Sequence, residues 1–567
     1  MAQLADLPPE LVLKILSYLN IPSLRNLALV SHPWHQFFLL HESFIFHQAA
    51  AYHRFVSSIE APLHAVKSTH TARGIHAVES WRDLCRYLFR LHMSWAGRDP
   101  VSSHTYSAPG SQVHRIKVDE VVGIIITSHT TGGLRVCDLE TDTLLWDLGT
   151  DYVRPWAHVE YGNGFLVFDR FGEYKEVWRL VSGPPIAPPN NSPPDIHQLR
   201  HREFAEKRHP NPDKRGHFRP WALLHCPEWG RAFRFVYPTL LVGSFNKAYF
   251  YNVESAQVIQ VIEDTQQIVD GNFMGDLYYV EVNTQHALIC GIDEVRAFNR
   301  SDGRVVFRMA PNDIPEISQV RVQVPSDTPT RAIRTQALPL VREPRQLDTS
   351  INHCFVAAHI SGKDLVLLRD DAHLVLIRDY QEAFQKKQPL SAYATIIRIH
   401  DSQYTPRAVY LAFEFGRIAV VTTSGIFIFT VDSTYHNPDQ KISYITEGSS
   451  LPPLPACNIQ ACKIMMMDHI AALRRVTCLQ MTETKLLFNY NPRYTPRNVS
   501  PGVGTTSSAD SLGDEFFDPM HDTHHDMLFE DDDDQEYGNW TDDDSDDEGL
   551  AGEREQFRST VCISFGT

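Results

Sequence analysis

The sequence predicts a multidomain α+β chain, with a helical N-terminal part followed by a large all-β part. Residues 4–46 and 47 to about 98 carry apolar side chains at three- and four-residue spacing, which is typical of helices. From about 105 to 490 the apolar residues form short runs separated by turns, which is typical of strands. A chain of 567 residues is too long for one ordinary domain, so we expect several units.

The N-terminal helices carry more apolar surface than they can bury among themselves. Leu11, Ile15 and Leu19 form one stripe at four-residue steps, and we expect Pro22 to end this helix and Ser23 to cap a second one. A segment of about 45 residues makes only a marginal core. The excess therefore indicates a partner protein with a groove for a helix. The alternative is an ordinary helical cap packed on the chain's own β part.

The following segment, residues 47–104, is predicted to be a helical linker. In it, one helical face carries Trp81, Leu84, Cys85, Leu88 and Leu91. We therefore divide the chain into residues 1–46, the linker 47–104, the all-β part 105–490, a polar and acidic segment 491–556, and a final segment 557–567.

Within the all-β part, a strand-like run, a short turn and a second run closed by a polar turn recur. The second runs begin at residues 134, 176, 248, 295, 374, 426 and 486. One four-stranded blade of a β-propeller takes roughly 40–50 residues, and its loops can hold insertions. The pattern therefore predicts a propeller of about seven blades, with six or eight as alternatives.

The two longest gaps in this pattern contain insertions near residues 182–220 and 311–350, both rich in proline and charge. Because proline has no N–H for a strand ladder, both insertions are predicted to be loops rather than strands. The run at residues 557–565 is strand-like again. We expect it to close the propeller by returning to an early blade.

The acidity of the chain is confined to one segment. The net charge is −17, but residues 510–550 hold 18 Asp or Glu and no Lys or Arg, so the remainder is close to neutral. Such a segment has too little apolar content to fold, and we expect it to be disordered. It is either a solubilising segment or a competitor for a basic surface, such as the insertion around Arg200 to Arg219.

The N-terminal residues also resemble a known family. The orders Leu-Pro-x-Glu-Leu from Leu7, Ile-Leu-x-x-Leu from Ile15 and Leu-x-x-Leu-x-x-Val-Ser-x-x-Trp from Leu24 are similar to the F-box. The resemblance covers about 40 of the 567 residues. It implies a trihelical module that docks on the Skp-type adaptor of SCF ubiquitin ligases and, through it, on a cullin scaffold. Ser31 stands where the family usually has a Cys, and Pro33 directly precedes Trp34. These two departures leave open where the second helix ends.

Carried over position by position, the resemblance implies a set of adaptor-binding residues, of which the last four are partly core. The set is Leu7, Pro8, Leu11, Ile15, Leu16, Leu19, Leu24, Leu27, Val30 and Trp34.

The β part resembles WD-repeat propellers more weakly. Turn-closing pairs such as Cys137-Asp138 and Phe298-Asn299 lie where that family has Trp-Asp, although the Gly-His dipeptide is not repeated. An F-box followed by a propeller implies a substrate receptor whose propeller binds a protein target, which the sequence does not identify. The alternative is an F-box scaffold protein that acts outside ubiquitination.

Several classes of function are not indicated. The nine cysteines form no CxxC pair, and GxSxG, GxxxxGK[ST], HExxH and GxGxxG patterns do not occur, so we expect no enzyme, metal or cofactor site. An enzyme of propeller type would instead show titratable groups converging at the central channel. We also expect no nucleic-acid or membrane partner, because the chain lacks a broad basic surface and a long apolar run. Without a signal-peptide pattern, the expected location is cytoplasmic, nuclear or both.

Overall fold

In the computed structural model, a set of N-terminal helices docks on a seven-bladed β-propeller. The predicted combination of helices and propeller, and the number of blades, are confirmed. The structure describes residues 7–566 without 57, 171–172, 184–186, 211–212, 269–270, 272, 312–316, 325–332, 344–352, 386–387, 401–405, 432–458, 492 and 494–556. The acidic segment that was predicted to be disordered lies outside the described residues.

The first four helices are α1 (Pro9–Leu16), α2 (Ile21–Ala28), α3 (His32–Leu40) and α4 (Glu42–Tyr52). Asn20 caps α2, because its side chain accepts a hydrogen bond from the backbone N–H of Ser23 at 2.9 Å. Because Asn20 is the cap, the expectation that Ser23 caps this helix is wrong. The expectation that Pro22 ends the first helix is also wrong, since α1 ends at Leu16 and Pro22 lies in the first turn of α2, where a missing N–H has no cost. Ser31 caps α3 in the same way, by accepting from Trp34.

Three further helices, α5 (Leu63–Ser68), α6 (Arg73–His76) and α7 (Trp81–Trp95), connect to the propeller. We call α1 to α7 the helical module. Leu84, Leu88 and Leu91 of α7 are buried, as their shared face predicts. The boundary expected at residue 46 falls inside α4, which packs on α7, and the boundary expected at residue 104 falls inside the first strand, β1 (Ser102–Thr105).

Seven sheets surround a central channel, and each sheet is one blade whose first strand lines the channel. Blade 1 contains β2 (Val113–Asp119), β3 (Ile124–His129), β4 (Leu134–Asp138) and β5 (Leu144–Leu148). Blade 2 contains β6 (Val159–Gly162), β7 (Phe165–Asp169), β8 (Tyr174–Leu180) and β9 (Phe218–His225). Blade 3 contains β10 (Ala232–Val236), β11 (Thr239–Gly243), β12 (Ala248–Asn252) and β13 (Gln257–Ile262), and blade 4 contains β14 (Leu277–Val282), β15 (His286–Gly291), β16 (Val295–Asn299) and β17 (Val305–Met309).

The remaining blades follow the same order, from the channel outwards. Blade 5 contains β21 (Phe355–Ser361), β22 (Asp364–Arg369), β23 (His373–Ile377) and β24 (Ala394–His400). Blade 6 contains β25 (Ala408–Glu414), β26 (Arg417–Thr422), β27 (Gly425–Thr430) and β28 (Gln460–Met465), and blade 7 contains β29 (Leu479–Met481), β30 (Lys485–Tyr490), β31 (Ser559–Ser564) and β1. The seven recurring runs of the sequence fall in seven different blades, as the third strand of blades 1 to 6 and the second strand of blade 7.

Blade 7 closes the ring with strands from both ends of the chain. In the sheet order, β31 lies between β30 and β1, so that Cys562 pairs with Leu487 on one side and His104 on the other. The late strand therefore completes the last blade rather than an early one. Its outer neighbour, β1, is the strand that follows the helical module.

The two insertions contain regular structure, so the prediction that both are loops is wrong. The first contains α8 (Ile196–Arg208), which packs against β5 and β9. The second contains β18 (Ser318–Gln323) and β20 (Leu340–Glu343), which extend blade 5, and β19 (Arg334–Leu338), which extends blade 6. Pro339 lies between β19 and β20, where the chain crosses between blades and no ladder N–H is needed. Short helices α9 (Tyr380–Phe384), a 3-10 turn (Leu390–Ala392) and α10 (Ile470–Arg474) complete the fold.

The antiparallel order of the strands gives the propeller two distinct faces. Turns from first to second and from third to fourth strands lie on one face, and the helical module packs there, against the β29–β30 turn. We call this the docked face and the opposite one the open face. The connection from Tyr490 to Ser559, which contains the acidic segment, joins a second to a third strand and therefore begins and ends on the open face.

The ring closure can be tested at Ile563, which is fully buried between Leu486 and Ser103. We expect Ile563→Ala to lower the free energy of unfolding by about 2–5 kcal/mol, because it leaves a cavity in the closing blade. The measurement is denaturant unfolding followed by tryptophan fluorescence. Ser103→Ala, in the exposed outer strand of the same sheet, is the control and should change stability by less than about 0.5 kcal/mol. Equal effects of the two substitutions would contradict the assigned role of β31.

Candidate partner-binding surfaces

The helical module has an apolar core of its own. Val12, Leu16, Leu24, Phe38 and Ile45 are buried together in it. Each of the four N-terminal helices contributes to this core, so the module is a packed unit rather than a row of separate helices. Apolar side chains that the core does not cover remain at its surface.

The structure divides the predicted adaptor-binding residues into three groups. Leu11 is 53 % exposed and Ile15 is 40 % exposed, and Pro8 and Val30 are also exposed. The half-buried members are Leu7, Leu19, Leu27 and Trp34. Leu16 and Leu24 are buried in the module's core, so they support the surface from beneath instead of forming it.

Further exposed apolar residues, which were not predicted from the sequence, lie on the same module. Leu29 is 71 % exposed and Leu40 is 79 % exposed, and Tyr18, Leu39 and Phe44 are also exposed. A signal for the last turn of α3 was available, because two consecutive leucines point about 100° apart around the helix axis, which makes it harder for one core to cover both. Together with Leu11 and Ile15, these residues are apolar side chains that the module's own core leaves uncovered, and uncovered apolar side chains are what an interaction site requires.

The helical module is fixed to the propeller by a buried carboxylate. Glu483, in the β29–β30 turn, accepts hydrogen bonds from the backbone N–H groups of Thr71 at 2.9 Å and Ala72 at 3.1 Å, and it pairs with His70. Burial by itself raises the pKa of Glu483, but His70 and the two N–H groups outweigh it and hold the pKa below its ordinary value. The carboxylate is therefore ionised at neutral pH and ties the α5–α6 connection to blade 7.

Trp95 makes a second attachment at the end of α7. Its indole N–H donates to the backbone oxygen of Glu483 at 3.1 Å, and its ring stacks on Phe565 with 3.6 Å between ring centroids. The guanidinium of Arg417 lies over the same ring, 4.8 Å from its centroid. Since Phe565 follows the closing strand β31, the helices are held by the same blade that closes the ring.

Comparison with protein families supports the assignment of the helices. Residues 4–43 match the family model described as F-box-like. The N-terminal part of the chain is an F-box-like domain. The match covers this domain alone, and in the comparison with curated proteins the chain has no significant match.

Solved structures similar to this chain include a β-propeller domain. The β-propeller domain of Myceliophteria thermophila Cps50 (Swd1) has a TM-score of 0.40 and 7% sequence identity, over 70% of this chain and 97% of that one. The computationally designed Ika8 protein has a TM-score of 0.36 and 10% identity, over 68% of this chain and 95% of that one. Chaetomium thermophilum Raptor has a TM-score of 0.40 and 8% identity, over 82% of this chain and 37% of that one. Likenesses this distant carry no argument about function.

Ionisable side chains from five inner strands meet in the propeller channel. Glu160 lies 3.1 Å from Lys117 and 3.3 Å from Arg234, measured between carboxylate oxygen and side-chain nitrogen. Arg234 lies 3.1 Å from Glu281, which in turn lies 3.1 Å from His359. We call these five residues the channel belt. It links blades 1 to 5 by side-chain contacts. Sequence patterns did not indicate it, because its members are far apart along the chain.

The channel belt satisfies its own charges. Burial alone raises the pKa of Glu160, but Lys117 and Arg234 outweigh it and hold the pKa far below its ordinary value. Glu281 behaves in the same way, with Arg234 and His359 as the groups that lower its pKa. A carboxylate that is held ionised by buried cations is a poor general acid and a weak base at neutral pH. Titratable groups therefore converge at the channel, where Glu160 and Glu281 are paired with Lys117 and Arg234.

Among the described residues, His353, Asp370 and Asp371 have donor atoms close enough to hold a metal ion, within 4.8 Å of one another. Asp371 is also paired with Arg369 and with His373 at 2.8 Å. Side chains of the protein therefore offset its charge without an ion. No helix in the described part of the chain is long and apolar enough to cross a bilayer.

In blade 2 the belt continues outwards to Asp169. His158 contacts Glu160 through its side chain and donates its backbone N–H to Asp169 at 3.3 Å. Asp169 also pairs with Lys175 at 2.6 Å and Arg154 at 3.0 Å. Burial alone raises the pKa of Asp169, but these two cations outweigh it and lower the pKa to about 2.

The lowered pKa of Asp169 predicts a pH dependence of stability. Its contribution is complete above the ordinary Asp pKa of about 3.9 and is lost as the pH falls towards the folded-state pKa. We therefore expect the wild type to lose about 1 kcal/mol more stability than Asp169→Asn between pH 7 and pH 3. Denaturant unfolding at both pH values measures the difference. Asp302→Asn, which alters an exposed carboxylate, should follow the wild type. Parallel behaviour of all three proteins would contradict the lowered pKa of Asp169.

Proposed function

We propose that this protein is the substrate-recognition subunit of an SCF-type cullin-RING ubiquitin ligase. The observation that carries the proposal is the F-box-like domain whose packed core leaves Leu11, Ile15, Leu29 and Leu40 exposed. In the proposed complex these side chains bind the Skp-type adaptor, which links them to the cullin scaffold. The second candidate is an F-box scaffold protein that uses the same surface outside ubiquitination.

Burial of the exposed side chains supplies the stabilisation that such a complex needs. Moving a Leu or Ile from water into a protein interface is worth about 1.5–3 kcal/mol when it is buried fully. Leu11 and Ile15 are about half exposed, so each has part of that free energy available for binding. Ordering two protein surfaces costs several kcal/mol, and a set of such residues is therefore required. Leu29 after α2, Leu40 at the end of α3 and Phe44 in α4 enlarge the set.

The proposed mechanism is positional. The contacts of Glu483 and Trp95 hold the helical module on the docked face, so the adaptor and the propeller would keep a fixed relation to each other. A protein target bound to the propeller would then lie near the ubiquitin carrier at high effective concentration. We propose that the chain supplies no catalytic group, since the channel carboxylates are occupied by Lys117 and Arg234.

The adaptor surface can be tested with Leu11→Asp combined with Ile15→Asp. Two new charges would have to be desolvated in the interface, so we expect recovery of the Skp-type adaptor to fall at least tenfold. Affinity purification of the tagged full chain followed by quantitative mass spectrometry measures this recovery. Ile196→Asp combined with Leu199→Asp is the matched control, since it makes the same change on the exposed side of α8. Undiminished adaptor recovery with the first variant would refute the proposed surface.

The same purification separates the two candidate functions. A receptor should recover the cullin and ubiquitylated proteins together with the adaptor, and all of them should be lost with the double Asp variant of α1. A scaffold should recover the adaptor without the cullin. Removal of residues 1–46 in parallel shows which other partners bind through the propeller.

A further inference from the structure

A cleft of about 650 Å³ opens at the docked face of blade 4, and its lining contains no residue of the helical module. It is bounded by β13 of blade 3, two turns of blade 4 and α9 of blade 5. Of its eleven lining residues, five are Gln or Asn, two are Ser or Thr, and none is Asp or Glu.

The one fully ionised side chain in this lining is Arg300. Other arginines of blade 4 have carboxylate partners, since Arg296 and Arg308 each lie 2.6 Å from Glu294. Arg304, in the same turn as Arg300, pairs with Asp302 at 3.9 Å. Arg300 has no carboxylate partner in the described part of the chain.

The position of Arg300 is nevertheless fixed. Its Nη1 donates to the backbone oxygen of Asn283 at 2.7 Å, and its guanidinium lies 5.1 Å from the ring centroid of Phe250. Its Nε is buried without a hydrogen-bond partner. Burial lowers the pKa of Arg300, and no neighbouring charge offsets this. An arginine stays charged under such a shift. The cleft therefore contains a positioned guanidinium cation for which the described residues provide no counter-charge.

Neutral groups around Arg300 add hydrogen-bonding capacity. The side-chain oxygen of Asn299 accepts from both the N–H and the hydroxyl of Ser301, at 2.8 and 2.9 Å, which leaves the Asn299 amide NH₂ to donate elsewhere. His286 packs its ring against Tyr380 and Phe384, and its Nδ1 is buried without a partner. Burial lowers the pKa of His286, so the ring is neutral at pH 7.

We propose that this cleft is an anion-binding site, with Arg300 as the counter-charge for a carboxylate or phosphate group of a bound molecule. A guanidinium with adjacent amide donors suits the planar or tetrahedral oxygens of these two groups. The site lies on the docked face but outside the helical module, so the proposal does not depend on adaptor binding.

Thermal unfolding of the full chain in phosphate, acetate and chloride at equal ionic strength tests the proposal. An anion that binds the native state raises the unfolding midpoint by linkage. We expect the wild type to gain more in phosphate, acetate or both than in chloride. Arg300→Gln should lose this gain, with a half-saturating anion concentration at least tenfold higher. Arg304→Gln, in the same turn and 85 % exposed, should retain it.

The pattern of results identifies the anion or rejects the site. A gain confined to acetate indicates carboxylate and a gain confined to phosphate indicates phosphate. Equal gains in all three proteins indicate only a general salt effect and overturn the proposal, as does the absence of any gain. If Arg300→Gln fails to fold, Ser301→Asp replaces it, because an internal carboxylate beside Arg300 should abolish the gain. Retention of the gain in Ser301→Asp would also overturn the proposal.

Discussion

The architecture depends on the pairing of β31 with β30 and β1 in blade 7. An open row of blades would expose the apolar flanks of its first and last members, so the closing ladder is what makes the other six sheets a ring. The same ladder positions the helices, because β1 follows α7 directly and Phe565 follows β31 to stack on Trp95. Propeller closure and helix docking therefore depend on the same strands of blade 7.

This arrangement sets the geometry of both surfaces. The exposed apolar residues of the F-box-like domain belong to a module that is fixed to one face of the propeller by Glu483 and Trp95. The channel belt adds rigidity across the ring, because Arg234 of blade 3 contacts carboxylates from blades 2 and 4. Rigid supports of this kind allow loops to vary while the distance between two binding surfaces stays constant.

Local patterns were sufficient to predict the fold class and the number of blades. Turn residues at the ends of third strands correctly indicated where these strands end. Asp138 and Asn299 accept hydrogen bonds from the backbone N–H groups of Glu140 and Ser301, respectively. The burial of Leu16 beside exposed Ile15 was not predictable, because apolar residues lie on more than one side of α1. The strands around Pro339 were missed because a proline between two blades costs no hydrogen bond. The Arg300 cleft was missed because it is assembled from separate turns and strands of three blades, which no local pattern brings together.

The acidic segment is an internal connection, since strands of the same blade precede and follow it. Tyr490 and Ser559 face each other at one end of a six-pair ladder, and β31 is also held by β1 on its other side. A single proteolytic cut anywhere in residues 494–556 would therefore leave the final strand in its sheet. The nicked protein would remain one folded particle made of two chains, and it would separate into its pieces only on denaturation.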